Sequence, residues 1–189
     1  MLNLWSRIEQ RLTASNAELL EELAPPASPE QQNALRSIIG ERPSALLESL
    51  GIHDGQRYGY HALVDPWRLM PSAEILATHM QMQDLFRPEA FPDGRESRGP
   101  VKGEAWLASW VPFASDEIGN YLCVDFDPEP DGHPEQVILW AADPPYVEVI
   151  VSSYRAWLEH FHEALIEGRY VWMESEGRWQ RASEVVSEL

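Results

Sequence analysis

Trp110-Val111-Pro112-Phe113-Ala114-Ser115-Asp116-Glu117-Ile118-Gly119-Asn120-Tyr121-Leu122-Cys123-Val124-Asp125-Phe126-Asp127-Pro128 reads as a strand, a tight acidic turn and a second strand. Tyr121, Cys123 and Phe126 sit among aromatic and β-branched neighbours. The residues alternate between a core side and a solvent side, as a half-buried strand requires. With these two, the strands expected are near 104–112, 120–126, 135–141 and 146–151, joined in hairpin-like succession by short polar connections.

Helices flank this block. Leu4, Trp5, Ile8 and Leu12 recur at helical spacing, and Leu19, Leu20 and Leu23 follow, with Ser15-Asn16 able to interrupt the segment and cap a second piece. Ala24-Pro25-Pro26-Ala27 must be extended, because consecutive prolines remove donors and restrict their predecessors. Ser28-Pro29-Glu30-Gln31 is a helix start with a Ser cap, Pro at the first position and Gln at the third, leading to a terminal glycine at Gly40. A short helix carries Leu46, Leu47 and Leu50 into the turn His53-Asp54-Gly55, and Tyr58 to Val64 is strand-like. Helices follow over 72–86 and 153–167, the second with Tyr154, Trp157, Leu158, Phe161 and Leu165 inward. Residues 87–103 are expected to form an exposed loop, and 170–173 with 178–181 a terminal hairpin turning at 175–177. Helices, then mostly antiparallel strands, then a closing helix is an α+β order: a central antiparallel sheet surrounded by helices in one domain over 1–189.

At 189 residues the chain can bury a real core, and 44% hydrophobic content with eight Trp excludes wholesale disorder. The single cysteine, Cys123, rules out an intramolecular disulfide framework and suits a reducing cytoplasm. Neither a charged leader with an apolar run nor a window of about 20 apolar residues is found, so a cytoplasmic protein without signal peptide or membrane span is expected. The net charge of −17 argues against nucleic acid and anionic membrane as partners and favours a basic protein. The charge is uneven. From Gly103 to Tyr154 there is no Lys or Arg but ten carboxylates: Glu104, Asp116, Glu117, Asp125, Asp127, Glu129, Asp131, Glu135, Asp143 and Glu148.

The chemical motifs are weak. Asp125 to Gly132 superficially suggests a calcium loop, but an EF-hand needs Gly at its sixth position and Glu at its twelfth, where Pro130 and Gln136 stand, so a solvated turn is expected. His160 and His162 are two apart and cannot share a helix face. In His53-Asp54-Gly55 the Asp and Gly are expected to supply turn geometry, the carboxylate taking backbone amides. Cys123 reads as a small buried hydrophobe, and Trp110 and Trp140 chiefly as core, with Trp110 kept as a candidate interface anchor. No nucleophile, base and orienting group can be assembled, and no cofactor or metal is expected.

Trp5, Ile8-Glu9, Pro26-Ala27-Ser28, Glu30, Gly40, Pro43, Leu50 and His53-Asp54-Gly55-Gln56 are the first half of a spaced pattern. Its second half is Trp110-Val111-Pro112-Phe113, Asp116, Gly119-Asn120, Leu122-Cys123, Asp125, Asp127-Pro128, Gly132, Gln136-Val137-Ile138 and Trp140. In order and spacing these residues resemble the SUKH superfamily, in its Smi/Knr cell-wall-assembly-regulator branch, over about 5–165. The resemblance implies an antiparallel sheet ringed by helices, structural motif roles for Trp5, His53, Asp54, Gly55, Gly119, Asp125 and Trp140, and a non-enzymatic role. Bacterial members neutralise polymorphic toxins; fungal members act as regulatory scaffolds. Combined with the charge, it leads first to an immunity protein that caps a basic toxin through Asp116, Glu117, Asp127, Glu129 and Asp131, with Trp110 as the aromatic contact. The alternative is a regulatory scaffold docking a housekeeping partner. Monomer and homodimer both remain open.

Overall fold

The computed structural model describes residues 1–15, 18–57, 62–87, 89–173 and 178–181. Helices α1 (Leu2–Ser15), α2 (Glu18–Glu22), α3 (Pro29–Ile39) and α4 (Ala45–Leu50) come first, then strand β1 (Arg68–Leu69), helix α5 (Ser72–Leu85) and strand β2 (Glu96–Arg98). Strands β3 (Trp110–Ser115), β4 (Tyr121–Asp125), β5 (Gln136–Ala141) and β6 (Tyr146–Val151) follow, then helix α6 (Tyr154–Ile166) and the hairpin β7 (Tyr170–Met173) and β8 (Arg178–Arg181). The main sheet has the order β1-β3-β4-β5-β6-β2, antiparallel except where β2 joins β6 in parallel. This is the α+β architecture read from the sequence.

Local chemistry places the helix ends. Ser28 accepts from the Gln31 amide while the Gln31 side chain accepts from the Ser28 amide, the reciprocal cap expected of that tetrapeptide. Ser153 caps α6 through the Ala156 amide.

The sheet corrects one expectation. Its central strands, β3, β4 and β5, do not alternate between core and solvent; they alternate between two cores. Val111, Leu122, Val124 and Val137 join a large cluster with Leu4, Trp5, Ile8 and Leu12 of α1, Leu46, Leu47 and Leu50 of α4, and Trp157 and Phe161 of α6. Trp110, Cys123, Ile138, Trp140 and Val147 face the other way, beneath Val101, Trp106 and Met82 of α5. All six residues of β3 are therefore buried.

Three segment boundaries also move. Residues 104–109 are not strand, and β3 begins at Trp110. Two of their carbonyls serve side chains: the Trp140 indole donates to Ala105 O (2.9 Å) and His79 Nε2 contacts Ala108 O (2.9 Å). The expected loop over 87–103 contains β2, paired Glu96 to Tyr146, Ser97 to Val147 and Arg98 to Glu148, and it buries Val101. Of the expected strand at 58–64, residues 58–61 lie outside the described residues. The remainder is a bend closed by an isolated Val64–Trp67 bridge, while the strand proper is Arg68–Leu69. The terminal hairpin is present; its turn at 175–177 also lies outside the described residues.

Candidate functional site

The residues singled out in the sequence fall into three places. The first is the end of the sheet formed by the β3–β4 and β5–β6 turns. Asp116 closes its turn on itself, accepting from the amides of Ile118 (3.0 Å) and Asn120 (2.9 Å) and from the Asn120 side chain (2.5 Å). Gly119, at φ 108, completes the turn, and Asn120 Oδ1 accepts from the Ala142 amide (2.8 Å), docking it against the β5–β6 turn that carries Asp143. Glu117 is not free. The buried Arg68 of β1 donates from Nε to Glu117 (2.6 Å) and from Nη2 to Glu74 of α5 (2.6 Å). Burial alone would lower the Arg68 pKa, but these two carboxylates outweigh it and hold the guanidinium above its usual range.

The second place is the opposite end, where β4 runs into β5. Asp125 is wholly buried, contrary to the solvated turn expected. It accepts from the Asp127 amide (3.0 Å) and from Gln136 Nε2 (3.0 Å), and Gln136 also donates to the Pro100 carbonyl (3.0 Å) and accepts from the His133 amide (3.2 Å). Burial raises the Asp125 pKa against these stabilising bonds. Lys102 reaches Asp127 at 2.5 Å, and that contact raises the lysine's pKa. Glu129 and Asp131 are exposed.

The ten carboxylates therefore do not make one uncompensated face. The five residues of β4, at about 3.4 Å each, separate Asp116 and Glu117 from Asp127, Glu129 and Asp131 by about 17 Å. Arg68 and Lys102, both from outside the acidic segment, neutralise part of each group, and Arg98 lies 4.0 Å from Glu148. Trp110 is wholly buried against Trp106, so it cannot be an interface anchor. Trp140 is buried in the same cluster, and the thiol of Cys123, also fully enclosed, is pushed well up by burial.

The third place is the helical layer. Trp5 Nε1 donates to Ser49 Oγ (2.7 Å), which also accepts from the Tyr154 hydroxyl (2.9 Å), tying α1, α4 and α6. His53 meets Trp5 edge-on at 4.9 Å and Glu9 at 2.7 Å, beside an open groove of about 400 Å³ lined by Ser6, Glu9, Gln10, Thr13, Leu20 and His53. Asp54 reaches across 18 residues to the start of α5, where Pro71 has no side chain able to cap. Its Oδ1 accepts from the Ser72 amide (2.7 Å) and its Oδ2 from the Ser72 hydroxyl (2.9 Å). Gly55 sits at φ 66 with its Cα against the Met70 backbone. Gln56, which the pattern also contains, accepts from the amides of both Leu63 and Leu69 (3.0 Å each).

Sequence reasoning missed Arg68, and it gave Gln136 only as part of the spaced pattern, without its bond to the buried Asp125. Among the described residues, no three His, Cys, Asp or Glu side chains come together as a metal site, and no helix is long and apolar enough to cross a membrane.

Two fungal proteins are similar to this chain. A Neurospora crassa protein named glucan synthesis regulatory protein is 22% identical over 204 aligned residues, covering 88% of this chain and 38% of that protein. The Schizosaccharomyces pombe cell wall biosynthesis/cell cycle regulator smi1 is 26% identical over 175, covering 82% of this chain and 34% of its own length. The chain thus spans little more than a third of either relative. Residues 26–160, from the extended connector through every strand of the main sheet into α6, match the SMI1 / KNR4 family (SUKH-1), and the chain belongs to that family.

Proposed function

We propose that this chain is a non-enzymatic docking module of the cell-wall-regulator type, acting in the cytoplasm by holding a partner protein. The observation that supports this most is the family match across the sheet, joined by two relatives named as regulators. The geometry agrees with it. Asp54, Asp116 and Asp125 direct their carboxylates at amides of their own chain, the use expected of acids that hold a platform in shape.

The immunity reading is second. The net charge of −17 and the exposed Glu129 and Asp131 favour it, because an anionic surface speeds encounter with a cationic toxin. Its single acidic face, however, is replaced by two partly neutralised ends.

The test is affinity purification of the tagged protein from its source cells, identification of the partner, and reconstitution of the complex from the two purified proteins. A stoichiometric complex with a protein of cell-wall synthesis or its control is the expected result. A partner that kills on expression and is silenced by this chain moves the assignment to immunity. Substrate turnover abolished by one point substitution overturns the docking reading altogether.

A further inference from the structure

The groove beside α1 is a recess whose polar groups the fold leaves largely unused. Ser6, Glu9, Gln10 and Thr13, spaced three and four residues apart, share one face of the helix and line it together with Leu20 of α2 and His53. Its volume of about 400 Å³ lies within the range of ligand clefts. His53 is held between α1 and the connector, with Nε2 2.7 Å from Glu9 Oε1 and Nδ1 3.3 Å from the Ala24 carbonyl, and its ring meets the buried Trp5 edge-on. A neutral imidazole donating from Nε2 aims the Glu9 carboxylate without cancelling its charge.

What the groove offers is acceptors. Among the described residues, Glu9 Oε2 and the side chains of Ser6 and Gln10 have no hydrogen-bond partner. Thr13 donates its hydroxyl proton to the Glu9 carbonyl (2.8 Å), so its lone pairs remain for an occupant. Several acceptors around one negative charge match an ammonium, which has three donors and no acceptor. A guanidinium fork asks for both carboxylate oxygens side by side, and His53 already holds Oε1. Leu20, half-buried, gives a methylene stem an apolar surface. The arginines of α1, Arg7 and Arg11, lie toward His162 of α6.

We propose that this groove binds a lysine side chain of a partner protein, its ammonium on Glu9, Ser6 and Gln10 and its stem along Leu20. This deepens the docking reading above and rests on it. The net charge of −17 draws a lysine-bearing segment toward the surface. A second copy is a poor occupant, because the one lysine of this chain, Lys102, is already engaged by Asp127.

The test is selection of a displayed library of random dodecapeptides on the immobilised full chain. Fluorescence anisotropy with the consensus peptide follows, at mildly alkaline pH where free imidazole is neutral. The expected consensus centres on one Lys. Its affinity falls at least about tenfold when that Lys becomes norleucine, and in Glu9→Gln, which keeps an acceptor for His53 and removes the charge. Arg in place of the Lys also weakens binding; equal or tighter binding overturns the ammonium assignment. If Glu9→Gln unfolds, Ser6→Ala and the norleucine peptide carry the test, and both must weaken binding. Lack of enrichment, a consensus without Lys, binding indifferent to these changes, or amide shifts that map the peptide away from α1 overturns the proposal. So does spermidine binding as tightly as the peptide, which would make the occupant a free amine. A captured partner that binds Glu9→Gln as tightly as wild type ends this inference and leaves the docking reading standing. Failure to capture any partner while the peptide still binds counts against the docking reading instead.

Discussion

Gly55 and Gly168 share nearly the same positive φ, 66 and 64, yet differ in what surrounds them. A Cβ at Gly55 would lie 2.5 Å from the carbonyl carbon and oxygen of Met70 and 2.6 Å from Pro71 N, whereas one at Gly168 meets nothing within 4 Å. Both alanine variants incur the left-handed penalty of about 1–2 kcal/mol. Gly55→Ala must in addition push backbone away by about 1 Å to reach ordinary contact distance. That segment is pinned by Ala24 N to Gly55 O (3.0 Å), Gln56 N to Leu69 O (2.9 Å) and Met70 N to Phe113 O (2.9 Å). Weakening two or three of these bonds at about 1 kcal/mol each brings the total to about 3–5 kcal/mol. Urea denaturation followed by tryptophan fluorescence, with equal m-values, measures both variants. Gly55→Ala is expected to lose at least about 2 kcal/mol more than Gly168→Ala. Equal losses would refute the close-approach argument and leave only the conformational term.

Three further outcomes follow from the same geometry. Arg68→Gln releases Glu117 and Glu74 together. Because both acids are partly solvated, the expected loss is about 1–2 kcal/mol by urea denaturation, and an unchanged midpoint would show the bridge to be idle. His79 is buried, which lowers its pKa, with the contact to the Ala108 carbonyl opposing the shift. The unfolded chain therefore takes up the proton first, and stability, complete above about pH 6.5, declines as pH falls below it. His79→Gln should flatten that decline, and an identical slope would contradict the assignment. Cys123, fully enclosed with its thiol pushed up by burial, should resist Ellman's reagent in the native state and react with one equivalent in concentrated guanidinium. Rapid native labelling would place it outside the core.

What was legible in the sequence was local. The Ser28–Gln31 cap acts over three residues, and the inward stripe of α6 repeats within the helix, so both could be read directly. The strand positions β4, β5 and β6 were visible in their β-branched and aromatic content. The second core was not: the same alternation that suggests a solvent face also fits a face covered by a loop, and only the contacts of Trp106 and Val101 decide. β2 has the residues Glu-Ser-Arg, with no apolar signal, and exists because β6 offers it an open edge. The acidic segment misled for a related reason. Charge counted along a chain says nothing of which strand end each carboxylate reaches, or that Arg68 and Lys102 arrive from other elements to meet Glu117 and Asp127.

The central claim is that the aspartates of the family pattern hold the fold while docking happens elsewhere on the surface. Its most direct test uses the reconstituted partner complex with Asp54→Ala, Asp116→Ala and Asp125→Ala, reading unfolding free energy and Kd on each. The account predicts that every variant loses about 1–3 kcal/mol of stability, from stranded amide donors, while the affinity of the folded fraction stays within about threefold of wild type. Unchanged stability with affinity lost by about tenfold or more would contradict it, because these acids would then belong to the interface.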